Sequence, residues 1–184
     1  MITSRAHTAL SKRSWSGARA ERGQRRTIRR RKGRNWILKE NNILIKIKFT
    51  GGGSRNSFDA LKEYARDKGV LDNFEFTGFV NDEDLARLMR GATALLAPLP
   101  ENLQSVARFP TKLGFYLASG RPVITNAVGE VEQYLQDNAN ALVASRCHAG
   151  MIADKVKTVL SDPSSAKTIG KNGKKYAFEN FHYA

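Results

Sequence analysis

In the stretch "RFPTKLGFYLASGRPVIT", residues 108 to 125, Arg108 and Lys112 flank Pro110 at the start of a helix-length run that Gly120 closes. Proline suits a first helical position, and a helix N-terminus presents free N–H groups with partial positive charge. Two cations at such an end make a candidate site for a diphosphate. A solvated basic helix start accounts for the same residues equally well. Gly51, Gly52 and Gly53 leave backbone N–H groups uncovered ahead of another helix, which suits a phosphate or sugar, although a strand-to-helix turn calls for glycine in any case. The run lacks the spacing of a dinucleotide fingerprint, and no Gly-Lys-Ser/Thr follows it, so neither a nicotinamide site nor a P-loop is supported.

The acidic residues divide by position. Asp82, Glu83 and Asp84 resemble a metal-holding Asp-x-Asp pair, but they directly follow Asn81, so helix capping is the preferred reading. Glu130 also opens a helix, and with Gly129 it falls in a loop where a contact to a sugar or diphosphate stays open. The single cysteine, Cys147, rules out an internal disulfide, and three scattered histidines do not form a metal-binding pattern. No metal site and no cofactor is expected, and the sequence assigns no catalytic residue.

These residues are carried by alternating strand and helix signals. In "NILIKIKFT", Ile43, Ile45, Ile47 and Phe49 share one strand face; Phe58, Leu61 and Ala65 follow at helical spacing, with Gly69 as terminator. Further strands are expected at "FEFT" ending at Gly78, "TALLA" 93–97, "PVIT" and "ALVA" 141–144. Helices are expected at 82–90, from Pro110 to Ser119, near 130–137, and as two terminal segments parted by Asp162-Pro163. Five short apolar strands alternating with helices specify an α/β fold: a Rossmann-like, doubly wound parallel sheet with helices on both faces. Its ligands bind at the carboxyl edge of the strands, where the glycine-rich and irregular loops gather.

The net charge of +14 is uneven. Residues 1–40 hold 13 Lys or Arg against 2 Glu, net +11, which leaves 18 basic and 15 acidic residues from 41 onward, net +3. Residues 1–41 therefore read as a basic, disordered tail and 42–184 as the globular domain. Non-specific nucleic-acid binding by residues 1–40 through counterion release is one role for the tail. Organelle targeting is a second, and no selected role is a third. The third is preferred, because only Trp15 and Trp36 are available to stack on bases. No apolar run approaches the roughly 20 residues of a transmembrane segment. The expected location is cytoplasmic, at most peripheral to the inner face of a membrane.

The segments "FTGFVNDEDLARLMRGATALLAPL" and "RFPTKLGFYLASGRPVITNAVGEVEQYL" resemble the C-terminal, donor-binding half of group 1 glycosyltransferases of GT-B fold. The likeness runs from about residue 43 to the end, through "DPSSAKTIGKNGKKYAFENF". It implies transfer of a sugar from a nucleotide-diphosphate sugar to an unidentified acceptor, without a bound metal. It implies diphosphate contacts at Arg108 and Lys112, donor-loop contacts at Gly51, Gly52, Gly53, Gly129 and Glu130, and a base lying near Gly78, Phe79 and Val80. In similar sequences a glutamate that accepts ribose hydrogen bonds stands where this chain has Phe115, with an acidic partner in many members where it has Ala107. A phenyl ring accepts no such bond, so Phe115 is read as a degenerate ribose position.

The resemblance also implies that the N-terminal acceptor domain and the first strand of the donor domain are missing, so the domain is incomplete at its N-terminal edge. A chain supplying only the donor-binding half is the expected function. An inactive donor-domain remnant serving as a folded module, and a nucleic-acid-associated protein using its basic arm, are the alternatives.

Overall fold

The computed structural model describes residues 2–4, 45–51 and 55–181 of the 184-residue chain. Its elements are β1 (Ile2–Ser4), β2 (Ile45–Thr50), α1 (Arg55–Asp67), β3 (Phe74–Gly78), α2 (Asp82–Gly91), β4 (Leu95–Leu96), α3 (Leu103–Val106), α4 (Thr111–Ala118), β5 (Val123–Asn126), α5 (Val131–Tyr134), β6 (Leu142–Ala144), α6 (Ala149–Ser161) and α7 (Pro163–Phe181), with a 3-10 turn at Leu71–Asn73. The expected alternation of strands and helices is present. Gly52 and Gly53, residues 5–41 of the expected tail, and residues 42–44 at the start of the expected first strand, Ile43 among them, lie outside the described residues.

The strands form two three-stranded sheets, in the orders β1-β2-β3 and β4-β5-β6. Every pairing is parallel except β1 with β2, which sets Ile2 opposite Ile47 and Ser4 opposite Ile45. The reading of residues 1–41 as a tail did not foresee β1, because nothing local distinguishes three residues whose partner lies more than forty positions away. Side chains join the sheets: Ile45 of β2 packs in one cluster with Ala94, just ahead of β4, and with Ile124 and Leu142 of the second sheet.

Successive strand residues point to opposite faces, which places helices on both. Val123 and Ala141 enter a core with Leu113 and Leu117 of α4 and Ala177 of α7, whereas their neighbours Ile124 and Leu142 enter one with Val156 and Val159 of α6. Around β2 and β3 the packing is aromatic. Phe49 stacks on Phe76 at 5.4 Å between centroids, and Phe58 of α1 meets Phe76 edge-on at 5.8 Å. No helix among the described residues is long and apolar enough to cross a membrane.

Helix ends follow local chemistry. The Asn81 side chain accepts from the Asp84 amide at 2.8 Å, Asp82, Glu83 and Asp84 fill the first turn of α2, and Arg87 pairs with Glu83 and Asp84. Asp162 parts α6 from α7 and accepts from the Ser165 amide and the Ser164 hydroxyl. The helix expected near 130–137 stops at Tyr134. The Asn140 side chain donates to the Tyr134 carbonyl and accepts from the Gln136 amide, taking groups that another helical turn would use.

Candidate functional site

The parallel strands deliver their loops to one edge, and two side chains at the end of β5 fix the largest of them. Thr125 and Asn126 have no solvent exposure. The Thr125 hydroxyl donates to the Ala97 carbonyl at 2.8 Å. The Asn126 carboxamide accepts from the Leu99 amide at 2.8 Å and donates to the Leu99 carbonyl at 3.1 Å. It thereby acts as a strand partner for a loop that has left the sheet. Sequence reasoning placed Asn126 in a loop and gave it no role; the available signal was a pair of polar residues, Thr125 and Asn126, directly after the apolar Val123 and Ile124.

Beyond Leu99 the loop turns through α3, which sequence reasoning merged into a long irregular segment. Asn102 caps it by accepting from the Ser105 amide at 2.9 Å. The chain then enters α4, whose N-cap residue Pro110 offers no capping side chain. Arg108 and Lys112 line a cleft of about 400 Å³ there, with Leu99, Gln104, Ser105 and Thr111 also on its walls. Neither cation forms an ion pair among the described residues. Two positive side chains and the start of an eight-residue helix thus border one cleft, and cations and a helix N-terminus both favour negative charge.

Gly129 lies against the back of this loop. Its φ is +54°, and a Cβ there would come within 2.4 Å of the Val106 carbonyl oxygen, so only glycine lets the loop after β5 cross α3 so closely. Glu130 follows at the start of α5. Gly51 and Gly78 form a second group: both have positive φ, and the Gly51 amide donates to the Gly78 carbonyl at 2.8 Å, tying together the loops after β2 and β3. Next to them Phe79 is 87 % exposed, with Val80 half-buried. Phe115 is 65 % exposed and is not a core residue between helix and sheet.

A third tether, also unforeseen from the sequence, joins the loops after β4 and β6. Glu101 accepts from the Cys147 amide at 3.0 Å and from the Arg146 guanidinium at 3.2 Å. The amide first, and then the guanidinium, hold its carboxyl below the ordinary carboxylate range. On the opposite side of α4, burial raises the Tyr116 hydroxyl above its usual value.

The profile of the family described as "Glycosyl transferases group 1" matches residues 34–176. The chain belongs to that family. An uncharacterized glycosyltransferase of Methanocaldococcus jannaschii is 26 % identical over 147 residues, which cover 80 % of this chain and 35 % of the relative. Among solved structures, a glycosyltransferase from Rickettsia africae superposes with a TM-score of 0.67 at 19 % identity, covering 79 % of this chain and 38 % of that one. Anabaena HepE in complex with UDP-glucose superposes with a TM-score of 0.64 at 18 % identity, covering 74 % of this chain and 36 % of that one. The group 1 chain described here therefore has the Rossmann-like architecture of GT-B glycosyltransferases, and it spans about a third of the length of the curated relatives it matches.

Proposed function

We propose that this domain binds the nucleotide-diphosphate sugar of a glycosyl transfer and that a separate acceptor-binding half completes the enzyme. The observation that carries this reading is the convergence of Arg108, Lys112 and the open N-terminus of α4 on one cleft at the carboxyl edge of the strands. Group 1 membership and the UDP-glucose in the HepE structure support it. In this reading the diphosphate lies on Arg108 and Lys112. The two cations and the helix end neutralise the charge that develops on the leaving diphosphate, so the transfer needs no metal ion. Gly51, Gly52, Gly53, Gly129 and Glu130 border the sugar and diphosphate, and Gly78, Phe79 and Val80 border the base. The protein acts in the cytoplasm, where Cys147 stays a thiol.

The alternative is an inactive donor-domain module. Exposed Phe115 favours it, because an apolar ring stands where similar sequences place a ribose-binding glutamate. Calorimetric titration of UDP and GDP into the full chain tests the main reading. Arg108→Gln and Lys112→Gln should each weaken diphosphate binding roughly tenfold or more, and the salt dependence of binding should shrink with each cation removed. Nucleotide binding that is indifferent to both substitutions would move the site elsewhere.

A further inference from the structure

Across Thr111 from the basic cleft, α4 and α7 enclose a second cavity of about 510 Å³. Five aromatic residues line it: Phe109, Phe115, Tyr134, Phe178 and Phe181. Its base is a packed cluster, with Phe109 and Phe181 stacked at 4.9 Å and Tyr134 edge-on to Phe109 at 5.2 Å. The small side of each helix keeps the space open, through Gly114 and Ala118 on α4 and Ala177 on α7. Phe115 and Phe178, 65 % and 53 % exposed, stand at its rim, and the Lys174 ammonium lies 5.8 Å from the centre of the Phe178 ring. A concave, mainly apolar surface with polar groups beside it has the form of a small-molecule site.

Charge decides what the patch fits. Phe109 and Thr111 line both cavities, and Thr111 is exposed, so the divide between them is low. One side of it is aromatic, and the other holds Arg108 and Lys112. We infer that the aromatic cavity seats the apolar part of an amphiphilic phosphate whose phosphate group rests on Arg108 and Lys112. This rests on the reading of the basic cleft as an anion site, and the amphiphile competes there with the nucleotide donor, whose diphosphate would occupy the same two cations. An aromatic floor with small residues between the helices accommodates a hydrocarbon chain, and the cations offset the cost of bringing its charged end to the same surface.

The experiment titrates the full chain with geranyl diphosphate, inorganic pyrophosphate and geraniol, and measures sedimentation alongside. Geranyl diphosphate should bind roughly tenfold or more tighter than either of the others, because it alone fills both cavities. Phe178→Ala and Phe115→Ala alter exposed positions, so the fold survives them; each should lower geranyl diphosphate affinity towards that of pyrophosphate and leave pyrophosphate itself unchanged. Gly114→Leu, which fills the cavity from α4, should do the same. If pyrophosphate binds as tightly as geranyl diphosphate, the inference falls while the anion site stands; if neither diphosphate binds, both fall. Geraniol binding as tightly as geranyl diphosphate would overturn it by showing that the cations take no part. A dimer that Phe178→Ala dissociates would overturn it by assigning the patch to a second copy of the chain.

Discussion

Replacing Asn126 with alanine removes both hydrogen bonds that hold Leu99, at 2.8 and 3.1 Å, in a place with no solvent exposure. Leaving a buried amide and a buried carbonyl without partners costs about 1–3 kcal/mol each, so the substitution should destabilise the protein by about 2–6 kcal/mol. For a chain of this size that lowers the melting temperature by roughly 10 °C. Urea unfolding of the full chain measures the loss, with an unchanged slope showing that the denatured state is the same. Thr125→Val is the matched control, since it deletes one buried bond, to Ala97, and should cost about 1 kcal/mol. Asn126→Asp sharpens the test. At neutral pH it buries a charge that can accept from the Leu99 amide but cannot donate to the carbonyl. Burial raises the folded-state pKa of that carboxyl above its unfolded value, so the defect should be greatest above the raised value and should lessen as the pH falls and the neutral acid becomes a donor. An Asn126→Ala protein no less stable than Thr125→Val would refute the argument that this carboxamide holds the loop.

Phe115→Glu should leave stability within about 0.5 kcal/mol, because the position is 65 % exposed, and should tighten nucleotide-sugar binding by roughly 1–3 kcal/mol in calorimetry if α4 faces a ribose. Unchanged donor affinity would show that it does not. Gly129→Ala should cost about 3 kcal/mol in chemical unfolding, from the left-handed backbone and the clash with the Val106 carbonyl oxygen. Glu101, held below its ordinary value of 4.5, adds stability that is fully present above that value and is lost as the pH falls through its depressed folded-state pKa. Unfolding midpoints of Glu101→Gln should therefore fall less steeply on acidification than those of the natural chain, with a residual slope from Asp162, which the Ser165 amide and Ser164 hydroxyl hold low in the same way.

What the sequence disclosed is what neighbouring residues decide among themselves. Asn81 accepts from an amide three positions on, Gly69 and Gly120 take positive φ after their helices, and Asp162-Pro163 parts two helices. Each is chemistry confined to a few residues, so each could be read before the fold was known. The placement of Arg108 and Lys112 on one cleft followed from the same local reading, since Pro110 fixes where the helix begins. The unread features join distant segments: β1 on β2, Asn126 on Leu99, Glu101 on Cys147, and Phe109 on Phe181. Their partners lie between about 27 and 72 positions apart, and no composition or periodicity reports such a meeting. For Phe115 the sequence offered a degenerate ribose position, and only the structure shows that its ring lies outside the core.

Burial differs between the two sheets, with a consequence for how the molecule opens. The second has Leu95, Val123, Ile124 and Leu142 sealed from solvent, whereas in β2 and β3 only Ile45 is. Amide protons of β2 and β3 should exchange with solvent through a cheaper, partial opening, and those of β5 only when the whole domain comes apart. The loops after β2 and β3, joined by Gly51 and Gly78, would ride on the half that opens first, while the cleft of Arg108 and Lys112 stays on the half that opens last.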